Sequence, residues 1–460
     1  MQFLNLTREI GIGANSYLLE IAGKRLVLDC GLHPRLEGFE ALPELAALDD
    51  DSVDGVILSH AHQDHVGSIP VLLRRHPRAR LFTTEVTRQI ADVMLHNSVN
   101  VMLRIREARG LSSYPLFTHK EVEITGRRWQ GVPLGQRWSL EGERLSLREA
   151  EEMLHFEFFD AGHILGSVGT MIRGEGRTVF YTGDVNFENQ TLSQGAAFPD
   201  GPVDVLVVET TRGDQPTPEG FTRRSEEARL ATALRDAFER GGAVLIPTFA
   251  LGKTQELLAM LAGMEERGEI PFGLPVYIGG LSAKLTDLYD KLSGQWPRQR
   301  PGLKLRDAVE PFVVGGREIN ELQLRPRRLY ALTSGMMTEK TLSNLFADRI
   351  ISNPAHHLFF IGYADPESPG GRIKAAAPGD LVQLEAGEPP SPLACHVEDF
   401  NFSAHASRET LRSWIARVQP KKVLLVHGDP SAIDWFARAI AEDLPETEVI
   451  IPEPGRRYDL

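Results

Sequence analysis

Cysteine is almost absent from this chain, which has two, Cys30 and Cys395, among 460 residues. Two thiols so far apart are too few for a disulfide framework and lack the spacing of a structural zinc site. The chain also lacks an apolar run of bilayer length, and its first residues lack the basic start and apolar stretch of a signal peptide. We therefore expect a cytoplasmic protein with buried thiols and no membrane partner.

Positive charge is in deficit as well, because 50 Lys and Arg stand against 63 Asp and Glu and give a formal net charge of -13. Nonspecific binding of nucleic acid rests on Lys and Arg side chains that neutralise phosphates. The composition therefore excludes a protein that coats polyanions by bulk electrostatics. If the substrate is a nucleic acid, the positive charge that attracts it must be local. Bound metal ions would supply part of that charge, and several of the acidic residues would be their ligands.

The length predicts more than one folding unit, because 460 residues exceed the roughly 250–300 at which a single core stops growing. Up to about residue 210 strand-like segments flank one stretch of helical spacing, Thr84 to about Arg109, strands alternate with helices from about 211 to 376, and strand-like patterning then returns. Strand, helix, strand predicts parallel pairing. We predict an α/β protein in which residues 1–210 and 377–460 form one domain and residues 211–376 form an inserted α/β domain.

Four polar residues crowd into one short stretch after the apolar run from Val53 to Leu58: His60, His62, Asp64 and His65. Imidazole and carboxylate are the ligands of catalytic zinc sites, which keep a position open for water. A tight loop can turn the first two residues toward one ion and the last two toward a second, and two close ions can clamp a phosphoryl group. A lone histidine is usually structural, but three histidines and one aspartate within six residues favour a metal site.

Three more polar residues follow predicted strands: His163, Asp184 and His427. The first two supply what the cluster lacks, a further imidazole and a carboxylate that can bridge two ions. Asp29 also ends a strand. It can hydrogen-bond the far ring nitrogen of a metal-binding histidine or only cap the loop that follows, and the residue alone leaves both readings open.

The segment Pro247 to Thr254 has the general form of a phosphate-binding loop between a strand and a helix. Pro247 replaces the first glycine of that motif, and proline supplies neither a backbone donor nor a left-handed turn. We therefore reject a nucleotide site, although the helix N-terminus can still attract a phosphate of another ligand.

Taken together, these residues resemble the metallo-β-lactamase fold hydrolases, in the β-CASP branch that includes the RNA-cleaving nuclease of the cleavage and polyadenylation factor and its bacterial and archaeal relatives. The resemblance covers nearly the whole chain and implies a four-layer αββα sandwich with an inserted β-CASP domain. Matching residues and segments occur in the family's order: Asp29, His60 to His65, His163, Asp184, Val208 to Thr211 with Glu209, Pro247 to Gly252, Ser334 to Met337, Phe402 to His405, and His427.

The resemblance implies two Zn2+ ions, with Mn2+ as an alternative because His and Asp ligands accept several divalent ions. It implies that the first ion is held by His60, His62, His163 and Asp184, and the second by Asp64, His65, Asp184 and His427. It also implies four catalytic residues: Asp64, His405, Glu209 and Asp29.

The reaction that the resemblance implies is hydrolysis of RNA phosphodiester bonds by a hydroxide shared between two metal ions. His405, steadied by Glu209, would protonate the leaving oxygen. In this family a histidine at the position of His427 goes with RNA substrates, and the products carry 5′-phosphate and 3′-hydroxyl ends. Endonuclease and 5′-exonuclease modes both stay open.

Substrate contacts are less well defined, because the segment Gly362 to Arg372 keeps only the opening Gly-Tyr and closing Gly-Arg of the family pattern. We expect Ser403, Arg372 and Lys374 to contact single-stranded RNA in a cleft between the domains, since no appended RNA-binding domain is visible. Other basic residues, Arg212 among them, could face a phosphate or solvent. A homodimer is one alternative for the oligomeric state.

Two other functions compete with a ribonuclease. A hydrolase of a small ester or thioester explains the metal cluster but leaves Glu209 and His405 without a role. A non-catalytic scaffold of an RNA-processing complex is disfavoured because every expected ligand is present.

Overall fold

The computed structural model describes residues 1–460, and the chain divides into two compact units. The first unit comprises Met1–Asn189, Gly195–Thr217 and His405–Leu460, and the second comprises Gln190–Gln194 and Pro218–Ala404. The limits of the second unit differ from those of the predicted insertion of residues 211–376, because its main segment begins at Pro218 and ends at Ala404. The predicted domain limits themselves stay a prediction.

The first unit begins with eleven strands and five helices. The strands are β1 Gln2–Asn5, β2 Tyr17–Ile21, β3 Lys24–Leu28, β4 Gly55–Ile57, β5 Arg80–Thr83, β6 Trp129–Gly131, β7 Arg137–Ser139, β8 His155–Asp160, β9 Val168–Gly174, β10 Arg177–Tyr181 and β11 Val205–Glu209. The helices are α1 Gln63–Val66, α2 Ile69–Arg75, α3 Glu85–Arg109, α4 His119–Gly126 and α5 Leu147–Glu152.

The second unit contains six helices and eight strands. In chain order they are α6 Arg223–Glu239, β12 Val244–Pro247, α7 Lys253–Glu266, β13 Val276–Gly279, α8 Gly280–Lys291, α9 Leu305–Val309, β14 Phe312–Val314, β15 Leu329–Leu332, α10 Leu342–Ile351, β16 His357–Phe360, α11 Pro369–Ala375, β17 Leu381–Val382, β18 Ser391–Pro392 and β19 His396–Asp399. The chain then returns to the first unit with α12 Arg408–Val418, β20 Lys422–Val426, α13 Pro430–Asp443, β21 Glu448–Ile450 and β22 Arg457–Asp459.

Two seven-stranded sheets form the core of the first unit. Their strand orders are β22-β1-β2-β3-β4-β5-β6 and β21-β20-β11-β10-β9-β8-β7. Each sheet is part antiparallel and part parallel: β1 to β3 pair antiparallel and β3 to β6 parallel, while β7 to β10 pair antiparallel and β10, β11, β20 and β21 parallel. The parallel halves end in the loops that carry polar residues.

Aromatic side chains pack between the two sheets. The rings of Phe82 on β5 and Phe156 on β8 lie 4.8 Å apart, and those of Tyr17 on β2 and Tyr181 on β10 lie 6.0 Å apart. On the outer face of the second sheet, Trp414 of α12 packs with apolar residues of α13 and of the sheet in one buried cluster. The arrangement confirms the predicted layered α/β architecture.

Local sequence sets the ends of the early elements. Ala22 and Gly23, with φ of 51° and 68°, form the tight turn that joins β2 and β3 in a hairpin. The 25-residue helix α3 begins after Thr84, whose side chain accepts a hydrogen bond from the Thr87 N–H, and ends at Gly110 in the left-handed conformation. These are the expected N-cap and C-terminal signals.

The second unit is built on a six-stranded sheet of order β14-β13-β15-β12-β16-β19, in which every pair is parallel. Its four central strands, β13, β15, β12 and β16, are largely buried and apolar, and a cluster that includes Tyr330 and Phe346 packs against them. Parallel pairing requires crossover connections, usually helices, and α7 to α11 lie in these connections, whereas a short 3-10 helix, Glu318–Asn320, lies between β14 and β15. This unit therefore has the α/β character predicted for the insertion.

Two predictions about composition can be compared with the structure. Both cysteines are free and buried, as expected. No helix combines the length and the apolar character that a membrane span needs.

A buried carboxylate holds the short segment Gln190–Gln194 in the second unit. Glu256, on α7, is 5% exposed and accepts hydrogen bonds from the Thr191 N–H at 2.9 Å and the Ser193 N–H at 3.0 Å. The Arg223 guanidinium donates to the same carboxylate at 3.2 Å. Several donors thus depend on one buried acceptor.

Glu256→Gln should lower the free energy of unfolding by about 1–3 kcal/mol, because the amide keeps one acceptor and turns its NH2 group toward buried donors. Glu266, on the same helix, provides the control because its pair with Arg300 is exposed; Glu266→Gln should change stability by less than about 0.5 kcal/mol. Urea unfolding of the three proteins measures both values. Equal midpoints for the two variants would contradict the role assigned to Glu256.

Candidate metal centre

The first unit brings the seven predicted ligands together where strands end. His60 and His62 follow β4, His163 follows β8, Asp184 follows β10 and His427 follows β20; Asp64 and His65 lie on α1. The sequence predicted a loop for this last pair, and the structure shows a single helical turn instead. A four-residue turn points adjacent side chains in different directions, so it serves a ligand pair as well as a loop does.

Two glycines turn the chain into the centre. Gly162, with φ of 66°, precedes His163, and Gly183, with φ of 53°, precedes Asp184. A Cβ on Gly162 would lie 2.3 Å from the Asn186 carbonyl oxygen. Glycine is therefore required there both for the left-handed backbone and for the close approach.

The first group of ligands consists of three imidazoles and one carboxylate. His62 Nδ1 lies 3.0 Å from His60 Nε2 and 3.1 Å from His163 Nε2. Asp184 Oδ2 lies 3.5 Å from both of these Nε2 atoms. Four ligand atoms thus surround one point.

The second group shares Asp184 through its other oxygen. Asp184 Oδ1 lies 3.4 Å from His65 Nε2 and 3.2 Å from His427 Nδ1. Asp64 Oδ2 lies 3.7 Å from His65 Nε2 and 3.4 Å from His427 Nε2. The Asp184 carboxylate therefore has one oxygen in each group.

The donor set and its spacing fit divalent cations. Ligand atoms at 2.0–2.1 Å from a tetrahedral Zn2+ ion lie about 3.3 Å apart, close to the separations in the first group. Asp184 Oδ1 is buried without a hydrogen-bond donor, which is costly for a carboxylate. A cation between the two groups would remove that cost, so this His and Asp cluster is able to bind metal.

Asp29 fixes the orientation of two of the imidazoles. The His65 Nδ1–H donates to Asp29 Oδ2 at 2.7 Å, and the Ser59 hydroxyl donates to the same oxygen at 2.6 Å. Because the Ser59 proton is used there, its oxygen accepts the Nδ1–H of His60 at 3.0 Å. Both rings are then protonated at Nδ1 and direct the Nε2 lone pair inward. The structure shows a hydrogen bond from Asp29 to His65, a predicted ligand, and the role of Asp29 at a metal site stays a prediction.

Charge is unevenly distributed within the cluster. Burial, reinforced by His65, lowers the pKa of His60 well below its usual value. Burial also disfavours the charged form of His65, but the carboxylates of Asp184, Asp64 and Asp29 together raise its pKa. Against the effect of burial, His65 and His427 lower the pKa of Asp64 to about 2. Nearby imidazoles likewise lower the pKa of Asp184 against the effect of burial, so the place between Asp64 and Asp184 favours a positive charge, either a proton or a metal ion.

Glu209 and His405 form a pair beside the cluster. The Nδ1–H of His405 donates to both Glu209 oxygens at 3.0 Å, and the Val185 N–H donates to Oε1 at 2.6 Å. The His405 and His163 rings are 4.6 Å apart. The structure therefore brings the predicted catalytic pair next to the predicted metal ligands.

The predicted substrate residues lie in the second unit. Arg372 donates to the carbonyl oxygens of Glu367 at 2.6 Å and Gln383 at 3.1 Å. Lys374 pairs with Asp399 at 2.8 Å. Ser403 is half-buried. The two basic groups already have partners within the unit, and RNA contact by these three residues stays a prediction.

Sequence reasoning missed three residues that support the site. Ser59 links Asp29 to His60, as described above. The Tyr181 hydroxyl donates to Asp29 Oδ2 at 2.5 Å, and the Asn15 amide nitrogen lies 3.3 Å from His65 Nε2. A serine directly before a ligand histidine was the one signal available for Ser59. Neither Tyr181 nor Asn15 is marked by any motif.

Comparison with protein families gives three matches in series. The model described as the metallo-beta-lactamase superfamily matches residues 11–248, just over half of the chain. The Beta-Casp domain model matches residues 254–373. The model described as the Zn-dependent metallo-hydrolase RNA specificity domain matches residues 391–452.

Relatives of known description are similar over most of the chain. Cleavage and polyadenylation specificity factor 73 of Drosophila melanogaster is 27% identical over 442 residues, which cover 94% of this chain but 60% of that protein. A ribonuclease of Thermus thermophilus is 29% identical over 442 residues, 94% of each chain. A crystal structure of a protein of unknown function from Enterococcus faecalis V583 covers 100% of both chains with a TM-score of 0.58 and 16% identity, which shows similarity of fold alone.

Asp29→Asn should weaken metal binding by about 10–100-fold, as expected for a hydrogen-bond partner of a ligand histidine. The amide offers a weaker acceptor to His65 and Ser59 and no longer holds their protons away from the centre. Competition with a chromophoric chelator measures the affinity. The control is Asp54→Asn, a carboxylate that caps Arg25 N–H at 2.8 Å in the same unit without contact to any ligand; equal affinities in both variants would contradict the orienting role of Asp29.

Proposed function

This chain belongs to the metallo-beta-lactamase superfamily and carries a Beta-Casp domain, and we propose that it is a zinc-dependent ribonuclease. The observation that carries the proposal is the meeting of seven metal-ligating side chains with the Glu209–His405 pair in one unit. The RNA-specificity match and the relative described as a ribonuclease support RNA as the polymer. The chain spans 60% of the length of the Drosophila relative. Ribonuclease activity is therefore a proposal for this chain and is not transferred from that protein.

We assign two Zn2+ ions to the two ligand groups. His60, His62, His163 and Asp184 would hold the first, and Asp64, His65, Asp184 and His427 the second. When bound, ions of this kind polarise a phosphoryl oxygen. They also lower the pKa of a bound water molecule toward neutral pH. Mn2+ is compatible with the same donors, so metal analysis must accompany every assay.

The protein's own residues orient these ligands and move a proton. Asp29 and Ser59 keep the Nε2 atoms of His65 and His60 directed inward. Glu209 accepts the Nδ1–H of His405, so the proton available for transfer is the one on Nε2. The buried carboxylate stabilises the imidazolium before transfer. His405 thereby acts as the general acid that protonates the leaving oxygen of the phosphodiester, a step worth about 10²–10⁴ in rate.

We propose single-stranded RNA as the substrate and endonucleolytic cleavage as the main mode, with 5′-exonucleolytic cleavage as a second mode. The products would carry 5′-phosphate and 3′-hydroxyl ends. A homodimer and the cytoplasmic location stay predictions from the sequence.

The purified protein should cleave end-labelled RNA and leave DNA of the same sequence intact. Asp64→Ala removes a carboxylate from the second ligand group and should slow cleavage by about 10²–10³-fold, because several kcal/mol of transition-state stabilisation is lost with the ion. Gel analysis of both labelled ends gives rate and mode, and metal analysis gives the ion content. Wild-type cleavage by the Asp64 variant, or hydrolysis of a thioester without cleavage of RNA, would refute the proposal.

His405→Ala should reduce turnover of RNA by about 10²–10⁴-fold while the bound metal stays at the wild-type level, since His405 is assigned no ligand role. The loss should shrink for a p-nitrophenyl phosphodiester, because p-nitrophenolate leaves without a proton. His119→Ala, at an exposed histidine on α4, is the matched control and should cleave at the wild-type rate. An equal loss on both substrates would show that His405 does not act as the general acid.

A further inference from the structure

Arg212 lies three residues after the end of β11 at Glu209 and is buried, with 8% of its surface exposed. Its Nη1 makes one long hydrogen bond, 3.5 Å, to the carbonyl oxygen of His405. Its Nε is buried without any partner. A guanidinium has five N–H donors, so most of the donor capacity of this buried cation is unused.

Two other arginines with buried nitrogen atoms, the half-buried Arg25 and the buried Arg298, do not share this state. Arg25 and Arg298 each contain a nitrogen without a hydrogen-bond partner, but Arg25 pairs with Glu20 at 3.2 Å. Arg298 donates to the Tyr289 carbonyl and lies over the Tyr289 ring. Arg212 has neither an ion pair nor an aromatic ring against it. Leaving charged donors unpaired in a protein interior is costly, so the arrangement requires an explanation.

The backbone holds Arg212 firmly in this place. The Gly213 N–H donates to the Thr210 carbonyl at 3.0 Å, and the Arg408 guanidinium donates to the Gly213 carbonyl at 3.3 Å. A Cβ on Gly213 would lie 2.2 Å from the Ala432 carbonyl oxygen, so this turn packs tightly against the start of α13. The unpaired state of the guanidinium is therefore not the result of a loose loop.

Carboxylates act on Arg212 without pairing with it. Burial lowers the pKa of its guanidinium, and the charges of Glu188, Glu409 and Glu209 oppose that effect. Each of these carboxylates is engaged elsewhere: Glu209 with His405, Glu409 with the Thr217 hydroxyl at 2.8 Å, and Glu188 with the Thr410 hydroxyl at 3.3 Å. The cation is kept charged, and its donors are left available.

We propose that Arg212 binds a backbone phosphate of the RNA beside His405 and completes its hydrogen bonds only when the substrate is present. The inference rests on the proposed function. The planar fork of a guanidinium matches two phosphate oxygens, and the contact with the His405 carbonyl puts that fork next to the general acid. A chain with net charge -13 needs local attraction for a polyanion, and this buried cation supplies it at the reaction site.

The test measures binding of a fluorescent single-stranded RNA to the metal-loaded His405→Ala protein, in which cleavage is slow, over a series of salt concentrations. Adding Arg212→Gln should raise Kd about tenfold or more, as expected for the loss of a charge-assisted hydrogen bond. It should also lower the slope of log Kd against log salt by about 0.7, the value for one phosphate contact on a single strand. Fluorescence anisotropy gives both quantities.

Arg412→Gln in the same background is the matched control. It removes the same charge from helix α12 of the same unit, but Arg412 already pairs with Asp443 at 2.6 Å and with Glu442 at 3.3 Å. We expect Kd within twofold of the parent and an unchanged salt slope. Arg212→Lys keeps the charge without the fork, so it should raise Kd by less than Arg212→Gln and keep the slope.

The outcomes separate the possible failures. An unchanged Kd and salt slope in Arg212→Gln overturn the phosphate contact. If Arg212→Gln then lowers only the turnover of the protein that retains His405, Arg212 is a residue that positions His405 through its backbone carbonyl. If thermal melting shows that Arg212→Gln is unfolded, Arg212→Lys decides, and an unchanged Kd in that variant overturns the inference. If the wild-type chain neither cleaves nor binds RNA while it retains metal, the proposed function fails, and the role of Arg212 fails with it.

Discussion

The carboxylate of Asp29 is the constraint on which the site depends. It is fully buried and accepts hydrogen bonds from the Ser59 backbone and hydroxyl groups, from His65 and from the Tyr181 phenol. Ser59 and His65 follow strands of one sheet, and Tyr181 belongs to the other. One carboxylate therefore joins the two sheets at their ends and also sets the tautomers of His65 and His60. The backbone of Asp29 is left-handed, with φ of 55°, a conformation that costs about 1–3 kcal/mol and that this network of hydrogen bonds offsets.

His427 has the same backbone feature at the opposite side of the cluster, with φ of 49°. Its ring faces two carboxylates, and the Thr211 hydroxyl lies 3.1 Å from its Nδ1. Residues in this region of conformational space concentrate at functional sites because the surrounding structure holds them there. Two of them among the residues around one cluster indicate that the surrounding structure holds the backbone of the predicted ligands firmly in place. Preorganisation of this kind makes electrostatic stabilisation effective when charge develops in a reaction.

The net negative charge of the chain is compatible with the proposed polyanionic substrate, because the local charge at the candidate metal centre differs from the net charge of the protein. Asp29, Asp64, Asp184 and Glu209 are directed toward histidines or toward the place of a cation. Their negative charge is thus balanced locally, and the net charge of the chain says little about the potential at the site. Arg212 adds an unpaired positive charge at the same place, on the side of His405.

Much of this could be read from the sequence because strand ends leave local signals. The polar residues after later strands predicted that His163 and Asp184 would complete the cluster after the apolar run, since they supply the imidazole and the carboxylate that it lacks, and His427 was found at a strand end in the same way. The family pattern made His427 a ligand and added Glu209 and His405. Other contacts left no local signal: Tyr181 is separated from Asp29 by 152 positions, and nothing near Gln190–Gln194 indicates that it belongs with the second unit.

By itself, the sequence determined which chemical groups are present and at which strand ends they stand, because alternation of apolar and polar residues is a property of neighbours along the chain. Only the tertiary structure decided which oxygen of Asp184 belongs to which group, which nitrogen of His60, His62, His65 and His163 faces the centre, and that Arg212 is buried without an ion pair. These properties depend on distances between residues far apart in the chain, and such distances are fixed only when the two sheets pack and the loops at their ends come into contact.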